Sequence, residues 1–185
     1  IIAVFSAPLT FHNDKKRSLT DVVLEQGKNA ENGITPNLEV VKLTYQKILE
    51  FVDSENMEEC KKSIEYHIQM AQKALDEALK TKEYANEIRS RSLAFSGEIL
   101  ISHVMNYILR SNGIKADAVS FEHWPIITDE NIESTNFLTP ESRTKMQKTE
   151  ELVNINEVVT IGGFIGKTIE NVTTTYERGG SDRTA

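Results

Sequence analysis

The sequence predicts an α/β fold with a mainly parallel sheet covered by helices on both faces. Three observations lead there. Ile1-Ile-Ala-Val-Phe5 and Val158-Val-Thr-Ile161 are short continuous apolar runs rich in β-branched residues, the pattern of strands buried on both faces. Between them lie long stretches with apolar residues three and four apart, the period of amphipathic helices. Strands separated by helices need crossover connections, and crossovers make parallel sheets.

In chain order, Ile1–Phe5 is the first strand, and Ser6-Ala7 leaves it at the end where open α/β sheets bind ligands. Pro8–Arg17, polar and basic, is expected to be an exposed, mobile loop. Ser18 is placed to cap a helix, with Asp21 three residues on as in a capping box and Val22, Val23 and Leu24 following. Gly33 and Pro36 mark a loop over 29–37. Leu38, Val41, Tyr45, Ile48, Leu49 and Val52 form one apolar stripe, and Cys60, Ile64, Ile68, Ala71, Leu75 and Ala78 form another on a longer helix over 57–81. Joined near Asp53–Asn56, these two predict an antiparallel helical hairpin over 38–81, a small lobe beside the sheet. A third helix is expected from Ser92 to Arg110, ended by Asn112-Gly113, then a strand over 114–121 closed by Trp124-Pro125. A helix from Pro140 to Leu152, with the proline in its first turn, leads into the strand at Val158.

Composition excludes several classes. The 185 residues carry 21 Lys plus Arg against 28 Asp plus Glu, a net charge of −7 that repels nucleic acid and anionic membranes. Cys60 is the single cysteine, so an intramolecular disulfide, a cysteine zinc site and a redox pair are all excluded, and a reducing, cytoplasmic setting is expected. No apolar run approaches the roughly 18 residues of a membrane span, and Ile1–Phe5 lacks the basic flank and length of a signal peptide. His12, His67, His103 and His123 share no metal-ligand spacing, and packed or surface roles are expected of His67 and His103, which lie in predicted helices.

The most distinctive stretch is the last. Gly162-Gly-Phe-Ile-Gly166 follows a strand, a threonine run follows it, and Arg178-Gly-Gly-Ser-Asp-Arg-Thr-Ala185 closes the sequence. Paired glycines let backbone amides approach an anion, and an arginine can make two hydrogen bonds to one carboxylate. This string resembles the aspartokinases of the amino acid kinase family, convincingly over 158–185 and more loosely elsewhere. Ser6-Ala7 and Thr20-Asp21 are similar to the family's early turn and helix start, across a longer intervening segment. Gly97-Glu98 is similar to its Gly-Glu pair, although Phe95 stands where many relatives carry serine.

The resemblance implies a three-layer α/β/α sandwich and transfer of the ATP γ-phosphoryl group to the side-chain carboxylate of L-aspartate, with Mg²⁺ as the ion. It implies that Glu98 receives the substrate ammonium and Arg178 a carboxylate. Ser181 would hold the carboxylate to be phosphorylated and Asp182 would act on the transferring phosphoryl group. Gly179 and Gly180 would offer amides, Phe164 a wall of the pocket, and Ser6 and Thr20 further substrate contacts. The family's opening Lys-Phe-Gly-Gly-Thr-Ser strand has no counterpart here. The expectation is therefore the aspartate-binding part of a kinase domain over 1–185, cut at both ends and without turnover alone, from a homo-oligomeric enzyme of Lys, Thr and Met biosynthesis. Two alternatives stand beside it: an amino acid kinase for glutamate or a carbamate, and a non-catalytic module in which the 38–81 helices bind a partner.

Overall fold

The computed structural model describes residues 1–12 and 15–177. Three parallel strands make its central sheet: β1 (Ile2–Phe5), β4 (Ala116–Ala118) and β5 (Val158–Gly162), in the order β1-β5-β4. β5 lies in the middle, with Ile2 opposite Val159 on one side and Ala116 opposite Val158 on the other. Helix α5 (Glu98–Ser111) packs along all three strands, and the Thr160 hydroxyl donates to Ser102 O of that helix at 2.7 Å. Side chains alternate along a strand, so Val159 and Ile161 face the other way, where they too are buried. This two-sided burial is why β5 reads as an unbroken apolar run. β1 departs from the expected full burial: it pairs with β5 alone among the described residues, and its side chains are at most half-buried.

The expected loop over 8–17 is instead largely strand. β2 (Leu9–His12) and β3 (Lys15–Ser18) pair antiparallel, with Leu9 opposite Ser18. Thr10 faces inward and accepts from the Thr44 hydroxyl at 2.8 Å, while Leu9 and Phe11 face solvent. Backbone pairing holds this ribbon together, and its exposed apolar side chains gave no burial pattern to read.

Ser18 ends β3 and caps α1 (Leu19–Glu31), its hydroxyl accepting from Thr20 N at 3.1 Å. Losing such a cap costs about 1 kcal/mol, so Ser18→Ala is expected to lower the stability of the folded chain by about that amount in urea denaturation, with an unchanged slope. α2 (Glu39–Ile48) continues as a short 3₁₀ turn to Phe51, and α3 (Met57–Thr81) follows with its whole predicted stripe buried. α3 packs mainly on α4 (Asn86–Ser96), and also on α1, α2 and α5, so the 38–81 helices belong to the common core.

The single helix expected over 92–110 is broken. α4 ends at Ser96 and α5 begins at Glu98, with Gly97 at φ −118°, ψ −97° between them. Leu93-Ala-Phe95 and Ile99-Leu-Ile101 flank the break, so the apolar pattern runs through it without registering it. α6 (Thr139–Ile155) carries Pro140 in its first turn, as expected, and packs on β5. A second sheet pairs β6 (Ile165–Lys167) with β7 (Thr173–Thr175). Trp124, fully buried, donates from Nε1 to Ile165 O at 3.0 Å and so locks this sheet to the chain after β4. Among the described residues no helix is long and apolar enough to cross a membrane.

Candidate functional site

The site lies at the C-terminal ends of β1 and β5, the end of a parallel sheet where connecting segments leave a crevice. Three pieces of chain meet there. Ser6-Ala7 leaves β1, Gly162-Gly163-Phe164 leaves β5, and α5 begins at Glu98. Gly163 N donates to Phe5 O at 2.8 Å, which keeps the two strand exits side by side. The helix approaches through glycine. A Cβ on Gly162 would stand 2.6 Å from the Glu98 carbonyl oxygen, and one on Gly97 would stand 3.1 Å from Ala7 Cβ.

Glu98 is 4% exposed. One carboxylate oxygen, Oε1, accepts from Ala7 N over a long 3.4 Å, and Oε2 is buried with no hydrogen-bond partner among the described residues. Its place at the start of α5 favours the ionised form through the helix dipole, and the amides of Glu98 and Ala7 lower its pKa. Burial outweighs these, and the pKa is pushed up to about 7. A buried acceptor left unpaired costs about 1–3 kcal/mol. Groups held at such a cost cluster at functional sites.

The sequence-predicted residues fall into three sets. Ser6, Glu98 and Phe164 are brought together: Ser6 is exposed beside Ala7, whose amide holds Glu98, and Phe164 lies two residues beyond Gly162. Phe164 adopts φ +66°, an uncommon conformation for a side chain other than glycine, and its carbonyl accepts from Tyr176 N at 2.9 Å. Thr20 is joined less directly. It is half-buried in the first turn of α1, whose start is held by the bond from Leu19 N to Pro8 O, one residue past Ala7. Arg178, Gly179, Gly180, Ser181 and Asp182 lie outside the described residues. The bond between Tyr176 and Phe164 nevertheless brings the chain alongside the site two residues before Arg178.

Three contributors escaped sequence reasoning: the Ala7 amide, Gly162 as the point of helix approach, and Tyr45. Tyr45 was placed in an apolar stripe, but its hydroxyl donates to Ser96 O at 3.2 Å and Gly97 O at 3.1 Å, immediately before Glu98. A phenol in a fully buried stripe must find a partner, and that was the available signal. The rings of His67 and His103 lie 4.7 Å apart between centroids, tilted at 44°, and burial lowers the pKa of both, His103 to about 3. Among the described residues no group of three or more His, Cys, Asp or Glu side chains could hold a metal ion.

The chain is an α/β protein with a parallel sheet and a buried acid, Glu98, at the carboxyl ends of its strands. The profile of the amino acid kinase family matches residues 18–185, and the chain belongs to that family. Its fold is that of aspartokinases. The whole chain superposes on E. coli aspartokinase III in complex with aspartate and ADP (R-state), with a TM-score of 0.77 at 20% identity over 38% of that protein. The same enzyme in complex with lysine and aspartate (T-state) gives the same values. Clostridium acetobutylicum aspartate kinase gives a TM-score of 0.62 at 23% identity, covering 99% of this chain and 36% of the other. The chain thus spans less than two-fifths of the length of these proteins.

Proposed function

We propose that the chain is the aspartate-binding part of an aspartate kinase, with the 38–81 helices an integral piece of it. In the reaction a side-chain carboxylate oxygen of L-aspartate attacks the γ-phosphorus of ATP, the bond to the ADP oxygen breaks, and 4-phospho-L-aspartate and ADP result. The observation that carries this reading is Glu98, a buried acid at the carboxyl edge of the sheet with one oxygen that has no hydrogen-bond partner among the described residues. An ammonium group supplies the charge and donors that such an oxygen lacks. An acidic amino acid needs an acid for its amine and a cation for its carboxylate, and the resemblance assigns the second role to Arg178.

Phosphoryl transfer depends on positioning and on neutralising charge spread over oxygens. Phe164 walls the pocket, Ser6 and Thr20 flank it, and the motif assigns Gly179, Gly180 and Ser181 to the carboxylate and Asp182 to the phosphoryl group. Mg²⁺ is the ion this reading expects, held in such enzymes largely by substrate phosphates. The reading extends to a homo-oligomeric, cytoplasmic enzyme of lysine, threonine and methionine biosynthesis. Burial of the whole α3 stripe removes the main support for a partner-binding helical module.

The test is ADP release by the intact enzyme, coupled to NADH oxidation. Aspartate is expected to drive it, glutamate and carbamate are not, and Arg178→Ala is expected to abolish the aspartate-dependent rate. The 185 residues alone are expected to show none. Turnover of glutamate in preference to aspartate would move the assignment to another amino acid kinase.

A further inference from the structure

We propose that Tyr45 is a positioning residue for the site, holding Glu98 in place through the backbone at the junction of α4 and α5. The inference rests on the reading that Glu98 receives the substrate amine. Tyr45 comes from α2, far from the site in sequence, and is fully buried. Its phenol donates to two consecutive carbonyls, Ser96 O and Gly97 O, and the next residue is Glu98.

At that junction Gly97 N donates to Leu93 O at 3.0 Å and Gly97 O accepts from Ile101 N at 2.9 Å, but Ser96 O has no backbone donor of this kind among the described residues. Carbonyls in the last turn of a helix lack intrahelical donors, and Ser96 O belongs to the last turn of α4. Gly97 has no side chain to wedge into the core, so its dihedral angles are set by the contacts around it. Besides the backbone bonds to Leu93 and Ile101, two contacts from outside the two helices bear on it: Ala7 abuts Gly97, and the Tyr45 hydroxyl shares its proton between Ser96 O and Gly97 O. The acid then projects from the first residue past the joint, so a shift at Gly97 passes directly into the carboxylate. Burial and the nearby Glu98 keep the phenol protonated, and it remains a donor across the working pH range. α2 is itself anchored one residue earlier, where Thr44 donates to Thr10 of the β2–β3 ribbon. The helix therefore stands as a brace between that ribbon and the site.

The test compares Tyr45→Phe with Tyr84→Phe in the intact enzyme. Tyr84 also spends a buried hydroxyl on α4, bonding Ser92 Oγ at 2.9 Å and not the carbonyls before Glu98, and serves as the control. Tyr45→Phe is expected to raise the KM for aspartate about tenfold with kcat changed by less than about twofold. The KM for ATP should not change. A second readout needs no turnover: in ¹³C-glutamate NMR the loosened, better hydrated Glu98 is expected to titrate about one pH unit lower in Tyr45→Phe. Tyr84→Phe should move neither reading, whatever it does to stability.

An unmoved Glu98 titration overturns the inference whichever substrate the enzyme takes. Absence of aspartate turnover in the wild type overturns the proposed function, with the titration still deciding the role of Tyr45. Should Tyr45→Phe not fold, 4-aminophenylalanine at position 45 keeps the ring and a donor. A folded protein of that kind with a Glu98 titration unlike wild type also overturns the inference.

Discussion

Glu98→Gln is expected to cost the intact enzyme about 10²- to 10³-fold in kcat/KM for aspartate, the scale of removing one partner of a buried charge pair. Glutamine preserves the shape and the bond from Ala7 but presents no charge to an ammonium group. The wild-type pH profile should carry the same signature. Glu98 must be ionised to receive the amine, and its pKa is about 7, so kcat/KM is expected to rise with pH through about 7, and the variant should lose that limb. A variant with wild-type kcat/KM would remove Glu98 from the site.

Stability provides the complementary measurement. The folded-state pKa of Glu98 is raised from its ordinary 4.5 to about 7. Between those values the folded chain binds more protons than the unfolded chain, so this residue's contribution is fully present below pH 4.5 and is lost as pH rises through 7. The raised pKa corresponds to about 3 kcal/mol. Glutamine does not ionise, so the stability of wild type relative to Glu98→Gln is expected to fall by about 3 kcal/mol between pH 4.5 and pH 8, measured by urea denaturation. Comparing the pair across pH cancels the fixed cost of burying an amide in place of a carboxylate. A fall of this size would show that Glu98 is held at a cost to stability at neutral pH, as the proposed role in binding requires.

Legibility in the sequence followed burial pattern. β5 was readable because both its faces are covered, and α3 because one helical face alone is: Cys60, Ile64, Ile68, Ala71, Leu75 and Ala78 are all buried. Where apolar residues continue on every side, the pattern carries less. The break at Gly97 lies in such a stretch, and nothing in the spacing distinguishes a kinked pair of helices from one long helix. The β2–β3 ribbon was hidden for the opposite reason, since Leu9 and Phe11 are exposed and backbone bonds define it. At the site, charged and glycine-rich motifs led to Glu98 and Phe164. Tyr45 and the Ala7 amide act through the backbone of residues distant in sequence, and only the fold brings them together.

Gly162→Ala is expected to damage stability and the site together. β5 is the middle strand of the sheet, buried on both faces, and α5 rests directly on its last residue. The new Cβ would stand 2.6 Å from the carbonyl oxygen of Glu98 and 2.7 Å from the carbonyl carbon. Both are backbone atoms in the first turn of a helix, so no rotamer change relieves the clash, and either α5 or β5 must move. Forcing a methyl into a packed interior costs about 1–3 kcal/mol, and an immovable backbone places this case at or above the upper end. The movement also displaces Glu98 itself. Gly162→Ala should therefore lower the urea midpoint by the equivalent of about 3 kcal/mol and raise the KM for aspartate more than tenfold in whatever folded protein remains. Adding Glu98→Ala distinguishes the cause. The Glu98 side chain is only the third contact, with its Cβ at 3.1 Å, and alanine retains that atom. The double variant is thus expected to recover none of the lost stability. Recovery would place the conflict in the glutamate side chain and not in the approach of helix to strand.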